Sequence, residues 1–265
     1  MENKIFLEDV TFVIPVRIDT LERLENLQAT TNYILSHCDT NILIVESDKR
    51  DSGFLRKLLH PSIQLFFEKD EKEIFHRTRY INAMVQITDT PYLAVWDADV
   101  IVQPIQLDIA AKSLRNAETD IIIPYNGRFF DTGISLRNEY LTAKDISVLE
   151  KNNRKMKLPF GVSACGGGFL VNKQIYRAAG MENANFFGWG IEDGERVKRM
   201  EILGYKVGRV NYGPMYHLTH PRGINSVFRT EEAQKAAIKE FLRICNMSKE
   251  ELQEEIATWY HVKNS

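Results

Sequence analysis

Two acidic residues separated by one position, Asp97 and Asp99, follow the short apolar run Tyr92–Trp96. When a chain turns at the end of a strand, two such carboxylates can both face a cavity, and their oxygen atoms suit Mg²⁺ or Mn²⁺. Acids with this spacing also occur as a polar strand terminus or a helix N-cap. The pair therefore indicates a divalent metal site only when further ligands join it.

Two histidines, His217 and His220, lie three residues apart far downstream. In a turned or helical segment both imidazoles can share one ion, and imidazole accepts Mn²⁺ as well as Zn²⁺. On its own the pair is more typical of two partly buried structural histidines. Together with the acidic pair, it favours a mixed carboxylate and imidazole metal site.

The densest signal is a glycine-flanked tryptophan followed by two acids. Gly188 and Gly190 free the backbone on either side of Trp189, whose ring can stack on the apolar face of a sugar. Glu192 and Asp193 then begin a predicted helix, where one acid would serve as a cap worth roughly 0.3–1 kcal/mol. Capping does not account for the glycines and the tryptophan. A carboxylate in this position is a candidate general base for a sugar hydroxyl.

Short apolar runs alternate with amphipathic stretches, which predicts an α/β fold with a doubly wound, mostly parallel sheet flanked by helices. Ligands bind beyond the carboxyl ends of such strands, where Arg17, Glu46 and the acidic pair fall. The predicted strands cover residues 10–16, 41–45, 63–67, 92–96, 121–123, 169–172 and 205–212. One predicted helix begins after Asp19 or Thr20. The other predicted helices cover residues 77–86, 107–117, 192–203, 230–244 and 248–260. Residues 129–160 are expected to be polar and irregular.

Composition narrows the classes of function. The chain has 265 residues with 34 basic and 36 acidic side chains, a formal net charge of -2, so no broad basic field predicts binding to nucleic acid. Its cysteines, isolated and odd in number, predict reduced thiols. No apolar run approaches the ~20 residues that span a bilayer. These features predict a cytoplasmic protein, with peripheral association at the inner face of the cell membrane left open.

The ordered motifs over residues 10–223 resemble those of the GT-A glycosyltransferases, in particular the β-1,4-galactosyltransferase-like branch, family 7 and its bacterial family 2 relatives. The segment Gly188-Trp-Gly-Ile-Glu-Asp193 closely matches the branch motif G-W-G-x-E-D. The other resemblances are Pro15-Val-Arg17 to P-F-R, Phe75-His-Arg-Thr-Arg-Tyr-Ile-Asn82 to F-N-R-A-K-L-L-N, Asp97-Ala98-Asp99 to D-x-D, Gly167-Gly168 to G-G, and His217-x-x-His220 to M-x-x-H.

The resemblance implies a GT-A domain over residues 1–225, with a donor-binding half to about residue 125 and an acceptor and metal half to about residue 225. A helical extension over residues 226–265 would pack on it. The implied activity is inverting, Mn²⁺-dependent transfer of a hexose or N-acetylhexosamine, with galactose or N-acetylgalactosamine favoured. The donor would be a UDP-sugar and the acceptor a saccharide or lipid-linked saccharide, in bacterial surface polysaccharide synthesis. Mg²⁺ is the alternative cofactor.

The resemblance also implies roles for individual residues. Asp193 would be the base, and Asp99, His220 and His217 would bind the metal, His217 standing where the family has methionine. Trp189, Gly190 and Glu192 would contact the donor and acceptor sugars. The expected donor-binding residues are Pro15, Arg17, Glu46, Phe75, Arg77, Asp97, Ala98, Gly167 and Gly168, with Phe75 on the uracil and Glu46 included for its strand-end position. The second donor-site arginine of the family is Asp19 here.

Two other functions stay open on the sequence. A metal-dependent sugar nucleotidyltransferase also combines two acids with an α/β sheet, but it usually carries a phosphate loop rich in glycine and lysine, and none precedes Arg17. A non-catalytic sugar-nucleotide binding module would be favoured by loss of the base or of a metal ligand. Asp193, Asp99 and His220 are all present.

Overall fold

The structure is a computed structural model that describes residues 4–259. The strands of this part of the chain are β1 (Ile5–Val16), β2 (Cys38–Asp48), β3 (Gln64–Lys69), β4 (Tyr92–Trp96), β5 (Val100–Ile101), β6 (Ile121–Ile123), β7 (Phe129–Asp131), β8 (Gly168–Asn172), β9 (Val207–Arg209) and β10 (Met215–His217). The helices are α1 (Leu21–His37), α2 (Phe54–Leu58), α3 (Arg77–Ile87), α4 (Pro104–Arg115), α5 (Gly133–Ala143), α6 (Ser147–Glu150), α7 (Lys173–Ala178), α8 (Glu192–Leu203), α9 (Glu231–Cys245) and α10 (Lys249–Thr258).

The central sheet has seven strands in the order β3-β2-β1-β4-β8-β6-β9. Strands β3, β2, β1 and β4 pair in parallel, as do β6 and β9, whereas β8 is antiparallel to both of its neighbours. Seven successive residues of β1, from Val10 to Val16, are buried, as expected of a strand covered on both faces. The predicted mostly parallel, doubly wound sheet is confirmed.

The two faces of the sheet carry separate hydrophobic cores. Phe12 and Ile14 of β1 pack into one core with Leu27 of α1 and Leu107 of α4. Val13, which points to the other face, packs with residues of α3, α8 and α10. This alternation fixes the register of β1, because a slip by one residue would exchange the two sets of side chains.

A small second sheet, in the order β5-β10-β7, was not predicted. Its strands have two or three residues, too few for a periodic pattern, and β7 and α5 lie in the stretch that was expected to be irregular. The predicted strand over 205–212 shortens to β9, because its partner β6 offers only three residues for pairing. This small sheet aligns His217 with Val100 on one side and Asp131 on the other.

Helix boundaries follow their capping residues. Thr20, one of the two predicted caps, begins α1 by accepting a hydrogen bond from the backbone of Arg23. Ser248 and Glu251 form the predicted capping box at the start of α10, with both hydrogen bonds present. Within residues 4–259, no helix is long and apolar enough to cross a bilayer.

Candidate active site

A cavity of about 620 Å³ lies beyond the carboxyl ends of β1 and β4. Its volume is within the range of sites for small molecules. Most of the residues predicted for the site line it: Pro15, Arg17, Phe75, Arg77, Asp97, Ala98, Asp99, Gly167, Trp189, Gly190, Glu192, Asp193, His217 and His220. The structure therefore brings together residues that are up to 205 positions apart (220 minus 15) in the sequence.

Two predicted donor-site residues lie outside the cavity. Glu46 is buried on β2, where burial and the nearby acids Asp51 and Asp48 raise its pKa. Gly168 packs against the ring of Trp96, which a Cβ at this position would strike. Glu46 was misplaced because a strand-end position does not define the face to which a side chain points, and Gly168 supports the fold beneath the site.

Asp99, His217 and His220 form a buried cluster of metal-binding groups, with one ligand atom from each residue within 4.8 Å of the others. The Nε2 atom of His220 lies 3.2 Å from Oδ2 of Asp99, and that of His217 lies 3.7 Å from the same oxygen. Burial alone would raise the pKa of Asp99, but its interactions with His217 and His220 hold it well below its usual range.

The hydrogen bonding of His220 shows that this cluster fits a cation. Its Nδ1 lies 2.8 Å from the carbonyl oxygen of Pro221, which can only accept, so Nδ1 carries the hydrogen. The Nε2 atom then faces the Asp99 carboxylate, so a proton or a cation must lie between these two atoms. One carboxylate and two imidazoles are a donor set that accepts Mn²⁺.

Asp131 lies behind His217 and was not identified from the sequence. Its Oδ1 atom is 3.9 Å from Nδ1 of His217, an atom that is buried and has no hydrogen-bond partner among the described residues. The imidazole holds the pKa of Asp131 well below its usual range. A carboxylate behind a ligating histidine commonly orients the ring. Asp131 is recognisable only once β7 and β10 are seen to pair.

Arg77 binds Asp97 rather than projecting freely into the cavity. Its Nε and Nη2 atoms donate to Oδ1 of Asp97 at 3.1 and 2.6 Å. Burial and the charge of Asp99 raise the pKa of Asp97, which Arg77 opposes. The remaining Nη1 atom of Arg77 is buried without a hydrogen-bond partner in the described chain. Nη1 of Arg77 is therefore the hydrogen-bond donor that remains available to a ligand.

Arg17 lines the cavity, and its guanidinium is held by neighbouring residues. Its guanidinium donates to the carbonyl oxygens of Ser47, Lys72 and Glu73 at 2.9–3.1 Å and pairs with Asp70 at 3.1 Å. Through these contacts the guanidinium holds the 70–73 loop, so it is not a free cation for a diphosphate. The same guanidinium lies 5.5 Å from the centroid of Phe75, so it also supports that ring at the cavity wall.

The backbone before α8 is unusual. Gly188, Gly190 and Ile191 have φ values of 96°, 102° and 75°. Glycine adopts this left-handed region readily, whereas a β-branched residue does so only under strain, which concentrates at functional sites. Trp189, 36% exposed, packs edge-on against Phe228 at 5.5 Å between ring centroids. The turn delivers the next two side chains, at the start of α8, to the cavity.

Those two side chains are adjacent carboxylates in different surroundings. Oδ1 of Asp193 accepts a hydrogen bond from Nη2 of Arg196 at 2.9 Å, and Oδ2 lies over Gly166, where a Cβ would strike it. Glu192 is buried, and its Oε2 atom has no hydrogen-bond partner among the described residues. Burial and the charge of Asp193 raise the pKa of Glu192 to about 7.

Comparison with known proteins supports the interpretation of these motifs. Residues 148–221 match a family described as the N-terminal domain of galactosyltransferase. The catalytic domain of Drosophila β1,4-galactosyltransferase 7, in complex with xylobiose, superposes with a TM-score of 0.54 at 15% identity, over 86% of this chain and 78% of that one. The chain has the GT-A fold of this galactosyltransferase.

A mutant of the same Drosophila enzyme, in complex with manganese, UDP-Gal and xylobiose, matches over the same shares of both chains, with 14% identity and a TM-score of 0.54. Comparison with curated protein sequences gave no match. The region that matches the galactosyltransferase family contains the glycine pair, the glycine-flanked tryptophan and both cluster histidines.

The cavity is also lined by residues that the motifs did not indicate. The division of the chain at residue 225 stays a prediction, but Ser226, Phe228 and Gln234 line the cavity from beyond it. Arg23 and Arg222 line it as well, and Arg23 donates to the hydroxyl of Ser226 at 2.7 Å. These residues stand singly in the sequence, so no pattern marks them.

Proposed function

We propose that the protein transfers galactose or an N-acetylhexosamine from a UDP-sugar to a hydroxyl of a saccharide or lipid-linked saccharide, with inversion and with Mn²⁺. The observation that carries this proposal is the presence of the Asp99, His217 and His220 cluster and of Asp193 in one cavity. The manganese, UDP-Gal and xylobiose bound by the Drosophila enzyme support it by analogy.

Asp99, His217 and His220 would hold the ion, which, when bound, stabilises the negative charge of a UDP leaving group. Since Arg17 is committed to the 70–73 loop, other cations must assist. Arg23 and Arg222 line the same cavity and are the candidates for contacts with the diphosphate. Arg23 would thus serve in place of the second donor-site arginine of the family. It is paired, at 3.0 Å, with Asp19, the residue that occupies that arginine's position here.

Asp193 would accept the proton of the acceptor hydroxyl as that oxygen attacks the anomeric carbon. The attack comes from the face opposite the departing UDP, so one base suffices and no covalent sugar–enzyme intermediate forms. Trp189 would cover the sugars through its exposed face. Glu192, neutral over part of the physiological range, can donate a hydrogen bond to a sugar hydroxyl as well as accept one.

A sugar nucleotidyltransferase is less well supported. Such an enzyme needs cations for a nucleoside triphosphate, and no lysine is present among the described residues that line the cavity. The two activities also differ in products, since the glycosyltransferase releases UDP, whereas the nucleotidyltransferase releases pyrophosphate from UTP and a sugar phosphate.

Ligand-dependent thermal stability tests the donor and metal assignment. UDP alone should raise the melting temperature slightly, and UDP with Mn²⁺ clearly more, because a ligand at 100 times its Kd stabilises the native state by about 2.7 kcal/mol. Asp99→Ala and His220→Ala should abolish the additional shift, whereas His217→Met should retain it.

Asp145→Ala, at an exposed acid far from the cluster in sequence, is the matched control and should keep the full shift. An unchanged UDP and Mn²⁺ shift in Asp99→Ala would contradict the site. Release of UDP from a panel of UDP-sugars, compared with release of pyrophosphate from UTP, then separates the two activities.

We also propose a cytoplasmic location at the inner face of the membrane, in bacterial surface polysaccharide synthesis. Support comes from four exposed cations within residues 151–157, followed by the exposed Phe160 and Val162. Cations beside exposed apolar side chains favour anionic lipid surfaces. Equal binding to anionic and neutral vesicles would argue against this location.

A further inference from the structure

A buried arginine connects the proposed base to the core of the molecule. Arg196, on α8, pairs with Glu182 through Nε at 2.5 Å and through Nη2 at 2.8 Å. Nη2 also donates to Oδ1 of Asp193 at 2.9 Å. The side chains of Arg196 and Glu182 are each 1% exposed, whereas that of Asp193 is 31% exposed. The side chains of Glu182, Arg196 and Asp193 thus form a row of alternating charges, and Asp193 is the member that reaches the cavity.

The side chain of Arg196 is held in place by residues other than Asp193. The guanidinium lies 4.1 Å from the centroid of Phe169, and the hydroxyl of Tyr176 donates to the Glu182 carboxylate that holds it. Burial would raise the pKa of Glu182, but the charge of Arg196 and its hydrogen bonds hold it below its usual range. The ion pair is therefore satisfied without Asp193.

The contact with Asp193 uses the second hydrogen of Nη2 and determines how that carboxylate lies. With Oδ1 bound to the guanidinium, Oδ2 is directed over Gly166, a residue of the cavity wall. A carboxylate held in this way offers one oxygen to an incoming hydroxyl. An unanchored aspartate would have to be ordered in each catalytic cycle.

We propose that Arg196, held by Glu182, is a positioning residue for the general base, fixing the Asp193 carboxylate with Oδ1 bound and Oδ2 presented to the acceptor hydroxyl. The inference rests on the proposed function in that Asp193 must be the base. It assigns to the Glu182 and Arg196 pair a purpose beyond stability of the core.

The other charges around Asp193 do not replace this contact. The titratable or charged groups that interact with it electrostatically are Arg77, Asp97, Tyr125, Cys165, Glu192 and Arg196. Arg77 is already paired with Asp97. Arg196 is therefore the cation that binds and orients the Asp193 carboxylate.

The test removes both buried charges together, because Arg196→Gln alone would leave Glu182 buried without its partner. In the variant Glu182→Gln/Arg196→Gln, the Asp193 carboxylate loses its anchor, so kcat should fall by about 10- to 100-fold, as misplacement of a catalytic group does. The KM for the UDP-sugar and the affinity for UDP with Mn²⁺ should be unchanged.

The matched control is Glu195→Gln/Arg199→Gln, which removes a second buried ion pair of α8 that does not contact Asp193. It should lower the melting temperature and leave kcat unchanged. A wild-type kcat in the folded Glu182→Gln/Arg196→Gln variant would overturn the proposal.

Arg196→Lys covers the case in which the double variant does not fold. Lysine keeps the charge but cannot bridge both carboxylates with a planar fork, so kcat should fall while the donor KM stays unchanged. A full kcat in Arg196→Lys would overturn the positioning role. Full transfer by Asp193→Asn would instead refute the base assignment itself, which separates the failure of the proposed function from that of this inference.

Discussion

At the scale of single residues, the neighbours Glu192 and Asp193 show how surroundings divide roles between similar groups. Asp193 keeps a cationic partner and part of its surface exposed, whereas Glu192 is buried with an oxygen that has no hydrogen-bond partner within residues 4–259. Pairs of carboxyl groups with opposed environments are typical of sites that need one charged and one neutral acid. We expect Asp193 to act ionised, and Glu192 to act chiefly through hydrogen bonds.

This difference predicts a pH dependence of stability. The folded protein binds the Glu192 proton more tightly than the unfolded chain, its pKa rising from the ordinary 4.5 to about 7. The contribution of this group is complete below pH 4.5 and is lost as pH rises through about 7. Glu192→Gln cannot ionise, so it should become more stable relative to wild type at pH 8 than at pH 5, by on the order of 3 kcal/mol.

Urea denaturation at the two pH values measures this difference. Glu254→Gln, an exposed position on α10, is the control and should change the free energy of unfolding equally at both. If Glu192→Gln also changed the free energy of unfolding equally at both pH values, the Glu192 carboxyl group would be solvated, which would contradict its raised pKa.

The sequence was informative about residues where type and spacing carry the chemistry. Asp99, His217, His220 and Asp193 could be predicted because each belongs to a motif. Arg196 and Asp131 could not, because a lone arginine in a helix or a lone aspartate in a three-residue strand has no periodic signal. Their roles depend on partners that lie 14 and 86 positions away, Glu182 and His217.

At the scale of elements, the long strands and helices were predictable because each shows a continuous apolar run, a helical period or a cap. The predictions failed for β5, β7 and β10, which are stabilised by pairing with one another rather than by local preference. The strands that end at the cavity were thus accessible from the sequence. The small sheet that supports the Asp99, His217 and His220 cluster was not.

The turn before β8 provides a test at this scale. Gly166 has no left-handed backbone, so alanine fits its conformation, but the new Cβ would displace Oδ2 of Asp193. Gly166→Ala should lower kcat by about 10- to 100-fold, as misplacement of a catalytic group by about 1 Å does. The melting temperature should change little, because the displaced group is the end of a flexible side chain.

Gly223→Ala is the matched control, since its Cβ would make only an ordinary contact, 3.6 Å from Asp19. Steady-state kinetics of both variants decide the matter. A Gly166→Ala enzyme with wild-type kcat would show that the position of Oδ2 is not important for transfer.

At the scale of the whole molecule, the cavity unites the ends of the parallel strands, the small sheet, the start of α8 and the segment before α9. Its lining runs from Pro15 to Gln234. Local unfolding of any one of these parts would therefore affect the site. The similarity to the Drosophila galactosyltransferase extends over 86% of the chain, which agrees with a fold organised around this one cavity.

The most direct test of the account is the rate and stereochemistry of sugar transfer by wild type and by Asp193→Asn, with a UDP-sugar, Mn²⁺ and a saccharide acceptor. Wild type should form a product of inverted anomeric configuration. Asp193→Asn should lower the rate by about 10²- to 10⁴-fold, the usual contribution of a general base. Its affinity for UDP with Mn²⁺, measured by calorimetry, should be nearly unchanged. Transfer by Asp193→Asn at the wild-type rate, or a product of retained configuration, would contradict the account.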